Sequence, residues 1–212
     1  MSLSSIFFTR TFPRLAGLAL ILAALQVLAG CWVSSINPLY EERTMDHPQP
    51  DPDVVLDQTL IGSWTTTDDK CPTLLTITAR DQTYDLQLVE QGQGCIGGDK
   101  PSRYQAQLVK LDAHYFLDVS PMDDAVCDMC AAKHDILLVK FDKATLAFTQ
   151  INSDWLKKSI ETKTVSLSTV AGDTDTITGS SKDLKAFCRQ YADNKEAFKP
   201  ESTFGFKRKP AS

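Results

Sequence analysis

The chain has 212 residues, with 27 acidic against 22 basic side chains and a net charge of −5. Phosphate binding needs clustered Lys and Arg, so this acidic balance without a basic stripe excludes nucleic acid as a partner. One basic cluster, Lys207-Arg208-Lys209, stands at the very end. It reads as a solvated tail, the alternative being a contact with anionic lipid or cell-wall polymer.

At the start, Arg10 and Arg14 precede an apolar run from Leu15 to Leu28, broken only by Gly17 and Gln26. A basic flank, an apolar stretch and a small-residue exit describe a secretory signal peptide. The run is shorter than the ~18 residues a membrane span needs. The exit, Leu28-Ala29-Gly30-Cys31, resembles the bacterial lipobox. That resemblance implies cleavage between Gly30 and Cys31, a thioether-linked lipid on Cys31 and acylation of the new amino group with palmitate-class chains. Each buried methylene contributes about 0.8 kcal/mol, so several chains hold where one is marginal. Trp32, not Asp, follows the cysteine; for enteric-type bacteria the resemblance then implies the outer membrane. The chain is also similar to small proteobacterial lipoproteins that carry Asn-Pro-Leu-Tyr (Asn37 to Tyr40) after the lipobox and a Leu-X-Gly-X-Trp entry further on. That likeness implies no activity.

Three regions follow: a signal peptide over 1–30, a lipidated N-terminus and Pro-rich tether over 31–56, and one mainly β domain over 57–212. In the tether, Pro48, Pro50 and Pro52 exclude helix, because each removes a donor and restricts its predecessor. The expectation is an extended, mostly solvated linker. About 25 residues reach roughly 80 Å when extended, enough to hold the domain clear of the membrane.

Alternation with period two predicts strands around Leu75–Ala79, Tyr84–Leu88, Tyr104–Leu108 and Tyr115–Val119. Ile136 to Phe141 is more continuously apolar, which predicts a strand covered on both faces. A turn at Asp142-Lys143 leads to a strand with Leu146 and Phe148. Asn152-Ser153-Asp154 offers N-caps for a short helix to about Glu161. Strands are expected over Val165–Val170 and Thr174–Ile177. Ser180 and Asp183 have capping-box spacing, followed by one apolar helical face of Leu184, Phe187, Cys188 and Tyr191. Phe204 and Phe206 mark a last strand or docking segment. The sum is a mainly β fold with two short helices, an antiparallel meander forming a barrel or a sandwich.

The entry Leu60-Ile-Gly62-Ser63-Trp64 resembles that of lipocalin and calycin barrels. The resemblance implies that Trp64 plugs the closed end and that a basic residue near the C-terminus, Lys207 or Arg208, packs across it. It also implies an apolar or amphipathic ligand in the lumen. The chain departs from the pattern by lacking Thr-Asp-Tyr between later strands, and by placing a helix inside the strand series.

Gly92 to Gly97 satisfies G-x-G-x-x-G, but runs into Gly98-Asp-Lys-Pro101 and a strand instead of a helix. A glycine-rich hairpin explains it without a dinucleotide. Apart from Cys31 there are five cysteines, and export favours disulfides. Cys71–Cys95 is the favoured bridge, worth roughly 3–4 kcal/mol in the chain-entropy model. Cys127 and Cys130 read as a structural bridge, local or to Cys188, with Cys188 otherwise a buried free thiol. A zinc site using Cys127, Cys130 and His134 is the metal alternative, and a thiol-redox pair is another. His47, His114 and His134 read as structural. No cofactor is implied, and no catalytic motif is present. The functional expectations are a non-catalytic envelope lipoprotein that binds an apolar small molecule, an assembly protein that binds another envelope protein, or a metal or redox protein.

Overall fold

The computed structural model describes residues 32–45, 48–66, 72–91, 101–122, 133–200 and 203–210. Eight strands close into an antiparallel barrel. In chain order they are β3 (Gly62–Thr66), β4 (Thr73–Arg80), β5 (Thr83–Glu90), β6 (Ser102–Leu111), β7 (His114–Pro121), β8 (His134–Phe141), β9 (Thr145–Gln150) and β12 (Thr203–Arg208). Each of the first seven pairs with the next. β12 then enters between β9 and β3 and seals the ring. The barrel, not the sandwich, is the architecture of the meander, and it is lipocalin-like.

The tight hairpins explain why neighbours pair. Asp81 and Asp112 adopt left-handed φ of 56° and 55° at the β4–β5 and β6–β7 turns. Aspartate tolerates that region better than most residues. At the β8–β9 turn the Asp142 carboxylate accepts hydrogen bonds from the Ala144 and Thr145 N–H groups. That local bonding holds the carboxyl below its usual range.

Between β9 and β12 the chain leaves the barrel. It forms α1 (Ser153–Glu161), β10 (Thr169–Val170), β11 (Asp173–Ile177) and α2 (Ser181–Tyr191). The strand expected from Val165 is confined to Thr169–Val170. Val165 and Leu167 are instead buried in irregular chain against the helices. The capping box at Ser180 and Asp183 is formed in both directions.

Strand alternation sorts the apolar side chains into two cores. One fills the barrel: Trp64, Leu75, Ile77, Tyr84, Leu86, Leu108, Leu117, Leu146, Phe148 and Phe206. The other lies outside β6 to β8, where Phe116, Ile136 and Leu138 meet Leu156, Leu184, Phe187 and Phe198. β7 and β8 are therefore covered on both faces, which accounts for the continuous apolar run of β8.

Parts of the segment read as a tether join this outer core: Val33 and Leu39 are buried in it and Tyr40 and Val54 pack against it, while residues 41–45 and 48–50 are exposed. Two short strands, β1 (Ser34–Ser35) and β2 (Val54–Val55), lie within it. β1 inserts between β11, in parallel, and the first residues of β8. β2 pairs with Val109 and Leu108 of β6. Leu39 is wholly buried. Prolines forbid helix here, but they do not forbid docking. What fixes the segment is a set of partners more than 70 residues away in sequence.

Candidate functional site

Three places concentrate polar chemistry: the closed end of the barrel, its mouth, and the strap formed by residues 32–45 and 48–57. At the closed end Trp64 is fully buried, and its indole Nε1–H donates to the Leu60 carbonyl at 2.9 Å. Arg208, its register partner on β12, lays its guanidinium over the ring at 4.0 Å. The same group donates to the carbonyls of Ile61, Thr59 and Lys143. One cation therefore satisfies three carbonyls and covers an aromatic face. Gly62 makes this possible. Its φ is +135°, and a Cβ there would stand 2.6 Å from the Arg208 guanidinium. The Gly-X-Trp spacing thus has a physical reason: the glycine leaves room for the arginine that covers the tryptophan. Arg208, which the composition suggested as part of a solvated tail, is built into the barrel; Lys207 is exposed. Tyr84 completes this end, its hydroxyl accepting from Asp57 N–H at 2.7 Å and lying 3.1 Å from the Asp57 carbonyl.

At the mouth, register places Leu88, Tyr104, Asp135, Gln150 and Phe204 on the same strand faces as the barrel core. They are less completely buried than the residues beneath them. Burial raises the Asp135 carboxyl from 3.8 to about 6, and the neighbouring Asp118 charge adds to this. Gln150 Nε2 is buried without a hydrogen-bond partner among the described residues. Such a group costs free energy.

The strap is held at two charged points. Asp118, on the outer face of β7, accepts from Leu39 N–H at 2.5 Å and from His134 Nδ1 at 2.7 Å. Burial lowers the His134 pKa, but the hydrogen bond and charge of Asp118 outweigh it, and the imidazole titrates above 6.5. Tyr40 packs its ring edge-on against His134; burial and the Asp118 charge raise its phenol to about 12. The second point is Asp51, whose carboxylate accepts from Lys185 Nζ of α2 at 2.6 and 2.9 Å. It also accepts from the N–H groups of Glu41 and Asp53. Lys185 further bonds Asp53, and Arg189 joins the same carboxylate. Burial opposes both charges, yet the hydrogen bonds win: Asp51 is held below 3.8 and Lys185 above 10.5. Grooves of about 470 and 500 Å³ open on the outside along this strap, lined among others by Glu41, Glu42, Pro50 and Asp51.

The remaining predicted site residues divide sharply. Gly30, Cys31, Cys71, Cys95, Cys127, Cys130 and His47 lie outside the described residues, as does the glycine-rich loop from Gly92. His134 is bonded through Nδ1 to Asp118, while the two cysteines that would accompany it at a metal lie outside the described residues. No group of His, Cys, Asp and Glu suited to a metal ion occurs among the described residues. Cys188 is free and fully buried, and burial pushes its thiol well above the usual range. His114 lies near the surface beside Asp193, at 3.1 Å. Sequence reasoning missed the Asp51–Lys185 and Asp118–His134 pairs. No local signal marks them, because each joins residues brought together only by the fold.

Comparison of the chain with protein-family models, with curated proteins and with solved structures gives no match in any of the three.

Proposed function

We propose that the protein is a lipid-anchored, non-catalytic component of the bacterial cell envelope, held on the outer membrane through Cys31, whose barrel acts as a scaffold for binding another envelope protein. The observation that carries this reading is the filled lumen. Trp64, Tyr84 and a ring of leucines are fully buried inside it, and Phe148 and Phe206 nearly so. Small eight-stranded barrels are either filled by side chains or hold one small ligand, and filling moves recognition to the outer surface. Bridges Cys71–Cys95 and Cys127–Cys130 belong to the same reading, since export exposes thiols to an oxidising compartment.

A second reading keeps the ligand. Leu88, Tyr104 and Phe204 line a less buried mouth, with Asp135 and Gln150 Nε2, unpartnered among the described residues, on the same strand faces. An amphipathic molecule with one polar end suits that mixture. Native and denaturing mass spectrometry of the exported protein distinguishes the two. The bare-chain mass under both conditions supports the scaffold. An added organic mass released on denaturation overturns it in favour of the carrier, and a metal mass would favour a Cys127/Cys130 site. Reduction of the same sample counts the disulfides.

A further inference from the structure

We infer that the mouth end of the barrel, at the patch formed by Trp32 and Phe204, rests directly on the lipid bilayer. This inference depends on the reading of Cys31 as the lipidated residue. Trp32 is 52% exposed and Phe204 46%, and their rings stack with centroids 6.0 Å apart. Phe204 lies on the lumen-facing side of β12, at the mouth, opposite the end closed by Trp64 and Arg208. Trp32 therefore lies at the mouth end, beside Phe204.

The position of the anchor follows from chain length. Val33 and Ser34 are 6% exposed and Ser35 is wholly buried, with Ser34 and Ser35 paired to β8 and β11. The backbone is thus fixed at Val33 to Ser35, and only Trp32 separates it from Cys31. Two residues span at most about 7 Å. The acyl chains must then leave the protein beside the Trp32–Phe204 patch, and no slack remains to lift the domain away. A free tether of some 25 residues would have permitted roughly 80 Å of stand-off. Docking of Val33 to Ser35 removes that freedom. An exposed aromatic pair at the root of a lipid anchor suits the bilayer interface, where Trp is enriched. Burial there also removes apolar surface from water.

The test uses the full lipidated chain, purified from membranes and reconstituted into phosphatidylcholine–phosphatidylglycerol vesicles brominated near the head of the acyl chains. Wild type is compared with Trp32→Phe and with Phe204→Asp. With three tryptophans in the chain, and Trp64 sealed in the barrel, brominated lipid should remove up to about a third of wild-type emission by quenching at interfacial depth. Trp32→Phe should abolish that loss, and Phe204→Asp should reduce it. Mass spectrometry of the N-terminal peptide is read in parallel. An unmodified Cys31 overturns the anchor and this inference together. A lipidated Cys31 with equal emission in brominated and plain vesicles overturns the orientation alone. So does protection of Trp32 that depends on protein concentration, which would assign the patch to a second copy.

Discussion

Inside the barrel, the side chains between Trp64 and Phe206 form an apolar filling, and Arg208 is spent on backbone carbonyls and an aromatic face at one end. Outside β6 to β8, an apolar core of similar kind is crossed by ion pairs: Asp51 with Lys185, and Asp118 with His134. The barrel is a closed ring of strands whose stability depends on shape. The outer layer is a strap and two helices laid on three strands, and it depends on charge as well. The two regions should therefore respond differently to truncation, to charge removal and to pH.

The sharpest separation comes from Trp64→Ala. It empties the closed end and leaves the Arg208 guanidinium without its aromatic face. The expected loss is about 3–5 kcal/mol, read as a fall in the urea midpoint at every pH between 5 and 8. A loss that varied strongly with pH in that window would mean that barrel and strap are not distinct in the way the two cores suggest.

Next in size is Lys185→Ala. The Asp51 side chain is 1% exposed, so the variant strands a buried carboxylate. Breaking a buried pair from one side costs about 3 kcal/mol or more. Asp51 titrates below its ordinary 3.8 in the fold. The stability it contributes is present above 3.8 and is lost as pH falls through the folded value. The penalty should accordingly be full at pH 7 and shrink once Asp51 protonates. Hydrogen exchange should quicken in residues 32–57 before it does in β3 to β6. Equal quickening in both would erase the distinction.

Asp135→Asn acts in the opposite direction. With its folded value raised to about 6, Asp135 favours the fold below 3.8, and this contribution is lost as pH rises through about 6. Asparagine cannot ionise, so the variant should be more stable than wild type above pH 6. The gain is about 2 kcal/mol, after discounting for solvent that reaches the mouth, and it should vanish near pH 4. His134 adds to the same trend: its raised value contributes stability below 6.5 that is lost as pH rises through the folded value. A denaturation series from pH 4 to pH 8 checks both. A variant that gained nothing at pH 8 would show that Asp135 is solvated at the mouth.

What could be read from the sequence divides along the same line. Strand positions, turns and the Ser180 capping box were legible because each depends on neighbours within a few residues: alternation, an aspartate at a hairpin, an N-cap. The importance of Trp64 at the strand entry was signalled by its short motif, but which of Lys207 and Arg208 lies over its ring needed the β12–β3 register. The points at which the strap docks were hidden for the complementary reason. Asp51 and Asp53 look solvated beside three prolines, and their partners Lys185 and Arg189 sit on a helix near the other end of the chain. The excursion between β9 and β12 hid barrel closure in a similar way, because the eighth strand arrives only after two helices.

The smallest effect tests whether the outer layer is held by its helices or only by its charges. Ser180 accepts from Asp183 N–H at 3.2 Å, and the Asp183 carboxylate returns a bond to the Ser180 backbone, so the first turn of α2 is fixed before Lys185 is reached. Replacing Ser180 with Ala should cost about 1 kcal/mol, the usual value of an N-cap. Because Lys185 and Arg189 stand on the same helix as that cap, part of the loss should appear as faster exchange in the strap, although the side-chain bonds of Ser180 among the described residues go to Asp183. Coupling of this kind is measured by the double variant Ser180→Ala/Lys185→Ala. If the helix start positions the ammonium against Asp51, the two losses will sum to less than their separate values, since fraying a helix whose lysine is already gone costs the strap nothing further. Strict additivity would instead assign the cap to the apolar packing of Leu184 and Phe187, leaving the ion pair to hold the strap by itself.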